Sequence, residues 1–62
     1  MRWYHIETQD RDLRDRFLLE LRLAGIYYEV EPLPGGWRIA LRADKHQRRT
    51  LDRWLAQQQA ET

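Results

Sequence analysis

Sixty-two residues make one domain near the size at which only about 60% of the unfolded chain's surface is buried, so stability must come from tight packing or association. The chain has no cysteine, which excludes disulfides, and its two histidines, His5 and His46, have no ligand-spaced companions, so neither a metal nor another cofactor is expected. Eleven basic residues against ten acidic ones leave a net charge of +1, too little for a field that would drive indiscriminate binding to nucleic acid or membrane.

No apolar run approaches the roughly 18 residues of a membrane span, and Met1-Arg2-Trp3-Tyr4 opens straight into an alternating pattern instead of a signal-peptide core. The expectation is a cytoplasmic protein without a membrane partner. Ten of the eleven basic residues are arginine and Lys45 is the only lysine. Arginine suits stacking and bidentate contacts.

Arg2 to Thr8 alternates Tyr4 and Ile6 against Trp3, His5 and Glu7, and its aromatic and β-branched content predicts a first strand. Thr8 or Asp10 can cap the helix that follows. Along Arg11 to Ala24, the residues Leu13, Phe17, Leu21 and Ala24 stack on one face, which Leu18 widens. Asp12 with Arg16, Arg11 with Asp15, and Arg16 with Glu20 stand four apart on the remaining surface. Leu19 and Leu23 lie on a flank, where they meet either the second helix or another subunit. Gly25 then ends the helix as a left-handed residue.

Ile26, Tyr28 and Val30 alternate with Tyr27, Glu29 and Glu31, and after Leu33-Pro34-Gly35-Gly36 the alternation resumes with Trp37, Ile39 and Leu41 against Arg38, Ala40 and Arg42. This is a hairpin. Pairing Glu31 with Arg38 sets Val30 opposite Ile39, Tyr28 opposite Leu41 and Tyr27 opposite Arg42, whereas a slip of one residue spoils both faces. Pro34-Gly35 fits the centre of a type II turn, and a four-residue loop is the alternative. Asp44 and Gln47 form a capping box for the second helix, whose apolar stripe is Leu51, Trp54 and Leu55. From Gln57 onward the chain is polar without a stripe. Residues 1–57 therefore form the single domain, and 58–62 a frayed tail.

The order β-α-β-β-α with one-sided helices predicts an α+β fold of two layers, both helices on one face of a three-stranded sheet. A right-handed crossover can set the first strand beside the second or, skipping a position, beside the third; the latter, strand order 1-3-2, is preferred, and makes a ferredoxin-like half without its last strand that leaves the first strand's edge open. The predicted core is Tyr4, Ile6, Leu13, Phe17, Leu21, Ile26, Tyr28, Val30, Trp37, Ile39, Leu41, Leu51, Trp54 and Leu55.

The run Leu21-Arg22-Leu23-Ala24-Gly25-Ile26-Tyr27-Tyr28-Glu29-Val30, followed by Gly35-Gly36-Trp37-Arg38-Ile39-Ala40-Leu41 and a capped helix, resembles two small prokaryotic groups. One is a family of short β-α-β-β-α proteins labelled signal-transducing, and the other is the cytosolic N-terminal domain of bacterial rhomboid proteases. The same element order occurs in the DNA-damage-inducible family that modulates the RecA recombinase. That family's last helix is strongly acidic, whereas this one carries Lys45, Arg48, Arg49 and Arg53. The resemblances imply a non-enzymatic module and transfer no catalytic motif.

With both helices on one face, the other face of the sheet is bare. Trp3, His5, Tyr27, Arg38 and Arg42 on it form the leading candidate site, either a contact with a protein partner or a stacking platform for single-stranded nucleic acid. Ion pairing of Glu31 with Arg38, and contacts of Tyr27 and Trp3 with Arg42, would make the same residues an ordinary polar surface. A second candidate is the basic start of the last helix, Lys45, His46, Arg48, Arg49 and Arg53, where positive charge opposes the helix dipole and Arg48 can pair with Asp52. His5 and Glu7 share a strand face as an acid-base pair in principle, but no nucleophile or phosphate loop accompanies them, and no catalytic residue is assigned. The sequence thus points to a small bacterial or phage protein-interaction or regulatory module, an inhibitor of a partner protein among the options, acting as a homodimer through the open edge and bare face. Single-stranded nucleic-acid binding is the alternative.

Overall fold

The computed structural model describes residues 1–60 and consists of β1 (Arg2–Thr8), α1 (Arg11–Leu23), β2 (Tyr27–Leu33), β3 (Gly36–Ala43) and α2 (Lys45–Ala60). The sheet is antiparallel with order β1-β3-β2, the preferred of the two orders that the crossover rule allows. Its register is also the predicted one: Glu31 faces Arg38, Val30 faces Ile39 and Tyr28 faces Leu41. On the other side of β3, Trp3 faces Arg42, His5 faces Ala40 and Glu7 faces Arg38. The two helices cover one face of this α+β sheet, and the short 16 Å dimension of the molecule is the thickness of the two layers.

Local chemistry explains where each element starts and stops. The Asp10 carboxylate accepts from the backbone N–H groups of Asp12 (2.9 Å) and Leu13 (3.2 Å), while the Thr8 hydroxyl accepts from the Asp10 N–H. Asp10 is therefore the N-cap, and Thr8 supports it. At the other end Gly25, with φ of 70°, lets the Ile26 N–H reach the Leu21 carbonyl (2.9 Å) and the Gly25 N–H reach that of Arg22 (3.1 Å). These two bonds make a Schellman ending. The hairpin resolves to two residues, Pro34 and Gly35, because Leu33 pairs with Gly36 and Gly35 adopts φ of 81°, the value of a type II turn. The capping box of α2 forms in both directions: Gln47 N–H to the Asp44 carboxylate at 2.7 Å, and Asp44 N–H to the Gln47 side-chain oxygen at 3.0 Å.

The core consists of Phe17, Leu21, Ile26, Ile39, Leu41, Ala43 and Leu51, with Tyr4, Ile6, Leu18, Tyr28, Trp54 and Leu55 packed around it. Several expectations need correction, the first being that Leu13 and Trp37 are only half-buried and stand outside this core and the residues packed around it. Val30 is 39% exposed, because β2 is an edge strand and the helical layer does not close over that position. Leu19 and Leu23 are 51% and 74% exposed, so no second helix buries them. The described residues from Gln57 on are not without structure: α2 continues to Ala60, and the Arg16 guanidinium donates to the Gln58 side chain from α1. The last two residues of the expected tail lie outside the described residues.

Arginines close the rim of this small core. Arg14 lies 4.3 Å from the Trp37 ring centre, Arg48 4.1 Å from that of Tyr4, and Arg22 5.9 Å from that of Tyr28, whose hydroxyl also accepts from the Arg22 Nε at 2.7 Å. Each helix arginine covers a sheet aromatic that the apolar core reaches only from one side. Such contacts contribute about 0.5–1 kcal/mol each when exposed. They also redirect the expected helix pairs, since Arg14 takes Asp15 (2.8 Å) and Arg16 turns to Gln58 and to the Asp12 carbonyl.

Candidate interaction face

The face of the sheet turned away from the helices follows from strand alternation alone, since neighbouring residues point to opposite sides. Three rows cross it: Trp3–Arg42–Tyr27, His5–Ala40–Glu29 and Glu7–Arg38–Glu31. The five residues of the leading candidate site therefore share one surface. Trp3 is 46% and Tyr27 60% exposed.

The first row differs from expectation in its contacts. Trp3 and Tyr27 meet each other in a T-shaped arrangement, centroids 5.9 Å apart and planes at 81°, a favoured aromatic geometry. Neither ring stacks on Arg42. Among the described residues Arg42 has no ion pair, hydrogen bond or ring partner, so this row presents an exposed aromatic pair beside an uncommitted guanidinium. The Tyr27 hydroxyl donates to the Glu29 carboxylate at 3.1 Å. That hydrogen bond, reinforced by the negative charge of Glu29 and by slight desolvation, raises the Tyr27 pKa above its ordinary 10.0.

In the third row Arg38 is held between two acids, Glu31 at 3.4 Å and Glu7 at 3.7 Å. The Glu31 pair is the predicted one, and Glu7 is an addition. All three side chains are solvated, so each bridge contributes at most about 1 kcal/mol. Because Glu7 leans to Arg38, the His5–Glu7 acid-base pair does not form, and His5 is without a partner among the described residues. Between these rows the methyl of Ala40 leaves a low point, an open depression of about 480 Å³ walled by His5, Glu29, Glu31 and Arg38. Among the described residues no group of three His, Cys, Asp or Glu side chains is placed to hold a metal ion. Among the described residues no helix is long and apolar enough to cross a membrane.

The second candidate separates into used and unused charges. Arg48 covers Tyr4 and pairs with Asp52 at 3.0 Å, so it belongs to the fold. Lys45, His46, Arg49 and Arg53 are exposed, and Lys45, Arg49 and Arg53 follow one another four residues apart along α2. The outer-face acids Glu7 and Glu29 were the site participants that the choice of aromatics and arginines passed over; strand parity alone places them there.

No family model, curated protein or solved structure matches this chain. Its function is argued from its surface.

Proposed function

We propose that this chain is a small protein-interaction module without catalytic activity of its own, and that it works as a homodimer in a regulatory role. The observation that carries the reading is the unprotected β1. Its inner side is paired along all seven residues with β3, while no strand among the described residues pairs with its outer edge. An edge of that length is a template for another strand. The opposite edge is blunted: Pro32 removes a donor from β2, and Pro34 ends it. A domain of this size also gains stability from association that its small core does not supply. Sedimentation velocity at high micromolar concentration is expected to give twice the 7.7 kDa chain mass. A sedimenting species of one chain mass at that concentration would overturn the reading.

One observation favours a second reading. The exposed Trp3–Tyr27 pair beside the uncommitted Arg42 has the composition of a platform on which bases of single-stranded nucleic acid stack, each worth about 1–3 kcal/mol. Glu7, Glu29 and Glu31 on the same face repel phosphates, which is why this reading stands second. It predicts quenching of tryptophan fluorescence by oligonucleotides at low salt, reversed as salt rises. Unchanged fluorescence at low salt would dismiss it.

A further inference from the structure

Resting on the self-association reading above, we infer that the partner strand is β1 of a second copy, paired antiparallel with His5 on the two-fold axis. The result is a continuous six-stranded sheet of order β2-β3-β1-β1-β3-β2, with all four helices on one side.

Three observations select this geometry. The first is parity. An antiparallel pairing of β1 with itself keeps helix-side residues facing helix-side residues only when the axis passes through a residue, not between two. The second is length. Centring on His5 pairs the whole of Arg2–Thr8, with Tyr4 opposite Ile6, Trp3 opposite Glu7 and Arg2 opposite Thr8. Centring on Ile6 pairs only Tyr4 to Thr8 and sets the rest of β1 against the turn into α1, where Asp10 is committed to capping. Centring on Tyr4 loses the other end and sets the cation Arg2 against Ile6. The third is complementarity on both faces. On the helix side Tyr4 and Ile6, each only half-buried at the sheet edge, complete one another across the axis and extend the core of one copy into that of the next. On the outer side Glu7 of one copy stands opposite Trp3 of the other, in the row that holds Arg42; its bridge to Arg38 is long (3.7 Å) and solvated, and Arg38 keeps Glu31 at 3.4 Å, so Glu7 can turn to the arginine that has no partner among the described residues. Trp3 leaves room for this, because its ring leans across β3 to Tyr27 and not over the β1 edge.

The absence of cysteine makes the register directly measurable. Directly opposite residues of an antiparallel pair have Cα atoms about 4.5–5.5 Å apart, inside the range a disulfide spans. Under mild oxidation a His5→Cys variant is expected to cross-link to itself at least tenfold faster than Trp3→Cys or Glu7→Cys alone, whose two copies would stand about 13 Å apart along the strands. An equimolar mixture of Trp3→Cys and Glu7→Cys is expected to cross-link as a heterodimer. In the unmodified protein, isotope-filtered NMR is expected to show contacts between the Tyr4 ring of one copy and the Ile6 methyls of the other. Sedimentation of the unmodified chain separates the two levels of the claim. A monomer there overturns the self-association reading itself. A dimer in which His5→Cys cross-links no faster than the single controls, or in which a His5→Cys and Glu7→Cys mixture outruns His5→Cys alone, overturns this register and leaves self-association standing. A dimer without Tyr4–Ile6 contacts across chains excludes the β1 pairing as well.

Discussion

Replacing Gly36 with alanine tests whether the end of β1 is held where the structure puts it. Gly36 has no need of a left-handed backbone; its constraint is space. A Cβ built there would lie 2.5 Å from the Thr8 carbonyl oxygen and 3.3 Å from Cγ of Gln9. Carbon–oxygen contacts begin at about 3.3 Å, so the new methyl is about 0.8 Å too close to main-chain atoms that cannot swing aside. Either the last residues of β1 move off β3 or the hairpin start bends. Overpacking of this kind costs about 1–3 kcal/mol. For a chain of this length the total stability is about 3–9 kcal/mol, so the variant is expected to lose a substantial part of it, and its melting midpoint is expected to fall by about 5–20 °C. Urea denaturation followed by circular dichroism measures the first, and thermal melting the second. Gly35 supplies the control, since a Cβ there meets nothing within 4 Å while φ is 81°. D-alanine at 35, whose chirality suits that left-handed φ, is expected to be tolerated, so strain at the turn is separated from the clash at 36. A Gly36→Ala variant within 0.5 kcal/mol of the parent would refute the close approach of β1 to the hairpin.

The hydrogen bond from Tyr27 to Glu29 makes Glu29→Gln lower the Tyr27 pKa toward the ordinary tyrosine value, read by NMR titration of the ring carbons. Because the folded-state pKa is raised, the bond's contribution is fully present below the unfolded value of 10.0 and is lost only as the pH rises through the folded value above it, so this group makes no pH dependence of stability near neutrality. Asp44→Ala and Gln47→Ala each unmake one arm of the α2 capping box; the first is expected to cost about 0.5–2 kcal/mol in urea denaturation, and the double variant less than the sum of the two. Arg48→Met keeps the aliphatic stem over Tyr4 and removes the charge, so the expected loss is about 1 kcal/mol, combining the ring contact with the Asp52 pair.

The hairpin was the most legible part of the chain because three independent signals agree there. Alternation separates Ile39 and Leu41 from Arg38 and Arg42, opposite charges meet at Glu31 and Arg38, and Pro34-Gly35 fits a type II turn, although only the structure decides between that turn and a four-residue loop. The caps were legible for a similar reason, each being a short-range bond between named neighbours. What the pattern could not carry were facts set by the third dimension. Ala43 is fully buried, yet a small residue adds nothing to a hydrophobic stripe. Val30 has the right parity for the core, but edge position is a property of the sheet and not of the strand. The QQQ run reads as loose because it lacks a stripe, while glutamine and alanine are good helix formers and Gln58 finds Arg16 across the helix pair. Arg14, Arg22 and Arg48 fall on nominally polar positions, and only their length lets them reach back over the sheet aromatics. On the outer face, parity placed the five candidate residues on one surface, whereas the choice of partner within it was a matter of rotamers: Trp3 and Tyr27 turned to each other and left Arg42 alone.

That last contrast bears on function. Every half-buried aromatic on the sheet's helix side, Tyr4, Tyr28 and Trp37, is covered by an arginine from the helical layer. On the outer face the same two residue types stand in one row and are not combined: the rings pair with each other, and Arg42 remains exposed between them with no partner among the described residues. An arginine already engaged at home resists being recruited, because a new partner must replace the bonds it breaks. An uncommitted one is recruited without that loss. Arg42→Gln is therefore expected to leave stability within about 0.5 kcal/mol of the parent, as for a solvated residue, and to weaken self-association at least threefold in sedimentation equilibrium, through loss of the charge that Glu7 of the second copy would meet. Arg38→Gln, whose charge is already shared by two acids within the chain, serves as the comparison and is expected to affect association less. Equal effects of the two substitutions, or a loss of stability on replacing Arg42, would show that the free guanidinium is not what the outer face offers a partner.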